Sequence, residues 1–326
     1  MNSAHRPVVV TAIVLAAITA PVPRASTGQS PAEPLVVTLA TATPGGGFPL
    51  YGEALADVVG QIDPSIQIRT RNTAGSTENI PLLEHNDVDL ALVQGEAVHE
   101  AFAGVGRPPV ALPILSAMYS TPGFFAVRAD ARYRSIGDLR GSRIALGARG
   151  SGLVILARYV LDGLGLDADR DFTPTLLERA ADGPQMVRDG RVDALWGGGA
   201  GWPGFADLLA GPGGARLIAP SAQEIAKIVA AHPFLKPLVL PAGAYPQQTA
   251  PITSVGSWSL ILTRAALPDE VAYRLAKALH LGESALAARL PQARETTAKN
   301  SVAAAMGVGA LHPGVSRYFR EIGLLR

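Results

Sequence analysis

The chain contains no cysteine among its 326 residues. That removes disulfides, thiolate metal sites, cysteine nucleophiles and attachment of a lipid through an N-terminal cysteine. Charge of one sign is lacking too: 28 basic residues face 27 acidic ones, and no run of like charge forms the basic stripe that nucleic acid requires. There is no Gly-x-Ser-x-Gly elbow and no His-Glu-x-x-His helix. His85, His99, His232, His280 and His312 are scattered without ligand spacing, so neither a metal, a cofactor nor a catalytic constellation is expected.

What is present is apolar material, 48% of the chain, enough for about two domains of the usual ~150 residues. The first stretch, "MNSAHRPVVVTAIVLAAITAPVPRAS", places His5 and Arg6 ahead of an apolar run from Val8 to Ala20, followed by small residues. This pattern reads as a secretory signal peptide with its spacer over residues 1–30, cleaved between Ala20 and Gln29. The run is shorter than the ~20 residues of a membrane span, although an uncleaved anchor is the alternative. Export without a lipid points to the periplasm.

From Leu35 the pattern alternates. "LVVTLA" reads as a buried strand, and the segment after "TPGGGFP" carries Leu55, Val58, Val59 and Ile62 at helical spacing. "IQIRTR", "GSTENIPLLEH" and "VDLALVQ" continue as strand, helix and buried strand. The same order returns in "RIALGARGSGLVILARYVL" and "VRDGRVDALWGG", with Val192 and Asp193 standing where Val88 and Asp89 stood. Two similar α/β domains with a cleft between them follow from this repeat. "ILSAMYSTPGFFAVRAD" and "PITSVGSWSLILTRA" lack helical periodicity and read as two crossover strands. They divide the chain into domain I, residues 35–127 plus 254–326, and domain II, residues 128–253. The last helix, "PGVSRYFREIGLL", sets Val315, Tyr318, Phe319 and Ile322 on one docking face.

Glycine-rich strand-to-helix junctions are natural anion sites, because backbone N–H groups and the helix dipole face the ligand. Thr43, Gly46, Gly47 and Phe48 form the first junction, or else a structural tight turn. The spacing fits no dinucleotide fingerprint, and no phosphate-loop lysine is present. Ser76 and Asn79 lie at the next junction, with Ser76 either a helix cap or a ligand hydroxyl. Gln94 ends the third strand at the same edge, where ligands of open parallel sheets sit; Glu96 can simply begin the next helix. In the second repeat, Arg149 either pairs a carboxylate or is solvated, and Ser151 starts a helix. Trp196 and Trp202 bracket a glycine-rich loop, as a wall of the site or, for Trp196, as core.

"GSTENIPLLEHNDVDLALVQGEAVHEAFAG", "ALGARGSGLVILARYVLDGLGL", "HPFLKPLVLPAGAYPQQ" and "LHPGVSRYFREIGL" together resemble the TAXI family of solute-binding subunits of TRAP transporters, over about Leu35 to Gly323. The resemblance implies a periplasmic-binding-protein-like (type II) α/β fold, two domains joined by two crossover strands around a ligand cleft. It implies an extracytoplasmic receptor, expected as a monomer, that delivers a small organic anion such as glutamate or 2-oxoglutarate to a membrane permease. The family's ligand positions map to Thr43, Gly47, Phe48, Tyr51, Ser76, Asn79, Gln94 and the loop around Ser151. The chain departs from the family in Phe48-Pro49-Leu50-Tyr51, where relatives have paired tyrosines, and in Leu153, where they often have threonine. A binding protein for an ABC importer or sensor shares these features, and a secreted hydrolase using Glu96 or Asp193 as a base is a further alternative.

Overall fold

The structure, a computed structural model, describes residues 1–2 and 33–326. The expected signal peptide and its cleavage point lie in residues outside this range, apart from the first two. Within Pro34–Arg326 the chain opens with β1 (Leu35–Ala40), α1 (Gly47–Ile62), β2 (Ile66–Arg71), α2 (Ser76–Glu84), β3 (Leu90–Val93) and α3 (Gly95–Ala103). The long strand β4 (Ile114–Arg128) leads to β5 (Arg143–Ala148), α4 (Gly152–Gly163), β6 (Thr173–Leu177), α5 (Gly183–Arg188), β7 (Ala194–Gly198) and α6 (Pro203–Ala210). Next come β8 (Ala215–Ile218), α7 (Ala222–Ala231), β9 (Lys236–Leu240) and a second long strand, β10 (Ile252–Thr263). Helices α8 (Asp269–Leu281), α9 (Glu283–Arg289), α10 (Ala298–Val308) and α11 (Pro313–Glu321) finish it.

The strands join in one sheet of order β2-β1-β3-β10-β4-β7-β5-β6, with β8 on β4 and β9 on β10. Its two halves are built alike. β1 lies parallel between β2 and β3, and β5 lies parallel between β6 and β7. A long antiparallel strand then flanks each triplet, β10 beside β3 and β4 beside β7. β4 pairs with β10 as far as Pro122 and with β7 from Gly123, so this strand passes directly from one half to the other. The crossing is tight at Gly256, where an added Cβ would fall 2.0 Å from the Thr121 carbonyl oxygen. Only glycine lets the two backbones meet there.

Apolar burial divides along the same line. One cluster gathers Phe124, Leu156, Trp196, Phe205 and their neighbours between residues 124 and 255. Two others cover the faces of the first triplet: Leu55, Val58 and Val59 of α1 with Leu275, Val315 and Phe319 on one side, and Ile80, Leu83 and Val98 on the other. Two local expectations need correction. Leu35 and Val36 are 37% and 39% exposed, because β1 has only β2 beside it until its ladder with β3 begins at Leu39. Ile62 is 40% exposed as the last residue of α1. Ile322, just past the end of α11, does pack against the cluster of Val315, Tyr318 and Phe319, as expected of the docking face.

Candidate functional site

The carboxyl ends of β1, β3, β5 and β7 open on one cavity. It has about 580 Å³ of empty space counting its mouth. This is the scale of a small-molecule site. Residues of both halves line it: Thr43, Gly46, Gly47, Phe48, Ser76 and Gln94 from the first, Ser151, Leu153, Ala180 and Trp202 from the second, and Tyr119 and Thr121 from β4. None of the lining residues carries a charge.

Local sequence explains each donor. Gly45 adopts φ +82°, and Gly46 caps α1 with no side chain on the first N–H groups. Gly75 (φ +125°) and Gln94 open α2 and α3, likewise without a side-chain cap. The first turn of a helix leaves N–H groups unsatisfied, and its partial positive charge favours an anion by about 0.3–1 kcal/mol, more when buried. The hydroxyls add to this. Thr43 Oγ1 accepts from the Ala180 N–H at 3.2 Å, Ser76 Oγ from the Gln94 N–H at 3.0 Å and Ser151 Oγ from the Leu153 N–H at 3.2 Å. Each hydroxyl has thus taken a backbone proton on one lone pair and keeps its own proton to give. Gln94 is 3% exposed, and its Nε2 finds no partner among the described residues.

The halves touch around this cavity through small residues. Gly75 lies against Gly150, where an added Cβ would come 2.8 Å from the carbonyl oxygen, and Gly45 lies as closely on Ala181. The Thr77 N–H and hydroxyl both donate to the Gly150 carbonyl at 3.1 Å. Trp202 forms a wall whose indole fills the space that Gly197 and Gly204 leave: a Cβ at either would strike the ring at 2.4–2.5 Å. Its backbone N–H donates to the Tyr245 hydroxyl at 2.9 Å, which donates in turn to the Gly199 carbonyl at 2.5 Å and holds the glycine loop.

Eight of the expected residues thus meet at the cavity: Thr43, Gly46, Gly47, Phe48, Ser76, Gln94, Ser151 and Trp202. Four stand away from its lining. Tyr51 is fully buried one layer behind, edge-on to Tyr119 with ring centroids 5.5 Å apart, and its hydroxyl pairs with Thr296 at 3.1 Å. Asn79 is used up by the scaffold: Nδ2 donates to the Thr41 and Leu92 carbonyls at 2.8 Å, and Oδ1 accepts from Thr73 at 2.7 Å. Arg149 has a side chain 69% exposed, with Glu178 4.0 Å away. Trp196 is core, packed on Phe125 with its Nε1 donating to the Leu153 carbonyl at 2.8 Å.

Tyr119 and Thr121 escaped the sequence reading. Their signal was the polar break "YSTPG" within a strand otherwise apolar, where β4 crosses from one half to the other. Asp193, weighed as a base, sits at the opposite end of β7 from the cavity and is paired with Arg143 at 3.0 Å.

Solved structures share the architecture. A Bordetella bronchiseptica protein matches with TM-score 0.58 at 14% identity, over 88% of this chain and 98% of its own. The substrate-binding protein of an amino acid ABC transporter matches with TM-score 0.50 at 10% identity, over 80% of this chain and 97% of that one. A putative L-cystine ABC transporter protein of Listeria monocytogenes also matches at 0.50, with 12% identity, over 81% and 98%. The fold is mixed α/β and periplasmic-binding-protein-like. The model of the NMT1-like family matches residues 39–323, nearly all of Pro34–Arg326, and the chain belongs to that family.

Proposed function

We propose that this chain is an extracytoplasmic solute-binding protein that captures a small organic anion and hands it to a membrane permease. One observation carries the reading: Thr43, Ser76 and Ser151 each accept a backbone N–H and so present a free O–H to a cavity where helices also begin. Such a lining offers donors and asks for acceptors. A carboxylate supplies them, and each hydrogen bond to a charged group contributes about 1.5–3 kcal/mol. The walls of Trp202, Phe48 and Leu153 suit an apolar backbone between polar ends.

The two halves act as hinged lobes, residues 35–127 with 254–326 and residues 128–253. Closure is driven by the solute, because donors of both lobes reach it only together. The resemblance to TAXI receptors favours a TRAP-type permease and a dicarboxylate such as glutamate or 2-oxoglutarate. An ABC importer is the second reading, supported by two structural neighbours, the substrate-binding protein of an amino acid ABC transporter and the L-cystine ABC transporter protein of Listeria monocytogenes. The periplasm is the compartment that fits both.

Calorimetry decides the class of solute. Carboxylates should bind with a Kd near micromolar, about −8 kcal/mol, and their neutral amides should bind at least a hundredfold more weakly. Equal binding of acid and amide would remove the anion from this account.

A further inference from the structure

Behind the cavity, four buried polar atoms have no hydrogen-bond partner among the described residues: Gln94 Nε2, both carboxyl oxygens of Glu96 and the Ser257 hydroxyl. They form one cluster. Gln94 and Glu96 flank Gly95, which is pressed so closely on β10 that an added Cβ would lie 2.3 Å from Ser257 Oγ. Glu96 is 0% exposed in the first turn of α3, and the groups acting on its carboxyl are its own N–H, Ser257, Gln94 and Glu100. No guanidinium or ammonium pairs with it among the described residues.

A buried carboxylate without a cation is costly, whereas the neutral acid has an O–H to donate. Burial foremost pushes Glu96 up to about 7, with Glu100 adding to the rise and its own N–H, Ser257 and Gln94 opposing it. Other titratable groups lie farther along the same packing: Glu100 and His99 on α3, Tyr159 on α4, and His232 at the end of α7.

We propose that Glu96 is a positioning residue that links solute binding to proton uptake through Gln94. The inference rests on the anion site of the proposed function. With Glu96 neutral, its O–H donates to Gln94 Oε1 and turns Nε2 toward the cavity, so Gln94 gives the anion a donor. With Glu96 ionised, the carboxylate draws Nε2 to itself. The amide carbonyl then faces the anion, and two negative charges share one enclosed, cation-free region. Above the midpoint of the free protein, binding of the solute therefore takes up to one proton from solvent, held on the Glu96 carboxyl.

The test combines a direct titration with a binding profile. The δ-carbon resonance of Glu96, assigned with Glu96→Gln, is followed against pH in sodium chloride and in the sodium salts of acetate and 2-oxoglutarate. The linkage predicts a midpoint near neutrality that rises by at least half a pH unit with either carboxylate. It also predicts an affinity that falls about tenfold per pH unit above that midpoint, and a nearly flat profile for Glu96→Gln. A Glu96 midpoint below pH 5 overturns the proposal, as does a Glu96→Gln profile as steep as the wild type. Amide shifts at Gly46 and Gly47 with an unmoved Glu96 titration overturn the linkage alone. No amide shifts with either carboxylate overturn the anion site, and the linkage with it.

Discussion

Asp89 and Asp193 hold the same place in the two halves of the sheet, and the difference between them shows what the repeat preserves. Each precedes the third strand of its triplet and accepts an N–H of the central strand, Thr38 in the middle of β1 at 2.8 Å and Arg143 at the start of β5 at 2.9 Å. Each also pairs with a guanidinium. Asp193 takes Arg143 itself, in a pair half open to solvent. Asp89 takes the Thr38 hydroxyl at 2.9 Å and the distant Arg264 at 2.9 Å, with both side chains 22% exposed. The first half is thereby tied to the segment that follows β10, whereas the second closes on itself. At the other end of the strands the contrast is chemical: β3 runs into Gln94 with a free amide, while β7 ends at Gly198. α1 starts uncapped and α4 is capped by Ser151. The repeat repeats the scaffold, and the candidate site differs where its copies diverge.

Removing the two aspartates breaks the comparison most sharply. Asp89→Ala should cost about 3 kcal/mol, since it strands Arg264 and the Thr38 donors in a partly buried site, and Asp193→Ala about 1 kcal/mol. Urea unfolding measures both; equal losses would mean that the ties are equivalent. Acid should act in the same order. Burial is the largest single influence on Asp89 and raises its pKa, but the Thr38 N–H, Arg264 and the Thr38 hydroxyl together hold it below the usual carboxylate range. Its stabilisation is therefore complete above about pH 4, the range of a free aspartate, and lost as pH falls further. Asp89→Ala should flatten that acid limb.

Next in size is the contact between halves. Gly75→Ala would place a Cβ 2.8 Å from the Gly150 carbonyl oxygen at φ +125°, a conformation alanine adopts at a cost of about 1–3 kcal/mol. Solute affinity should fall by about tenfold or more; unchanged calorimetric affinity would show that the halves need not meet there. Ser76→Ala and Ser151→Ala sharpen the comparison at the site itself. Each removes one donor and should weaken binding by roughly 5- to 30-fold. Each also leaves a backbone N–H unpaired, and Ser76→Ala should have the larger effect because the Gln94 N–H is buried whereas the Leu153 N–H is only partly so. The smallest change is expected from Trp202→Phe, a two- to fivefold loss read by titration calorimetry, because the apolar wall is largely kept.

The scaffold was readable because it rests on periodicity. "LVVTLA" and "IQIRTR" are strands with the bounds the letters suggest, "RIALGARGSGLVILARYVL" is strand, glycine loop and helix in that order, and the interval from Val88 to Val192 announced the equivalence of the aspartates. The lining of the cavity was readable where backbone chemistry makes it, at the glycine junctions and Ser76, Gln94 and Ser151. It was opaque where a side chain has two uses. Asn79 has the residue type of a ligand donor, yet three scaffold groups claim its amide, and nothing in "GSTEN" shows them. Tyr51 lies one helical turn too deep, behind Tyr119, a residue supplied by a strand far along the chain. Glu96 looked like an ordinary first-turn acid, and only packing against Ser257 of β10 reveals it as fully buried.

Native mass spectrometry of freshly purified protein, with gentle release of whatever occupies the cavity, tests the central claim most directly. The account predicts a mass increment that leaves as a small organic acid, detected as a negative ion, and that is diminished in Ser76→Ala. An adduct that leaves as a cation or a neutral sugar, in wild type and variant alike, would contradict it.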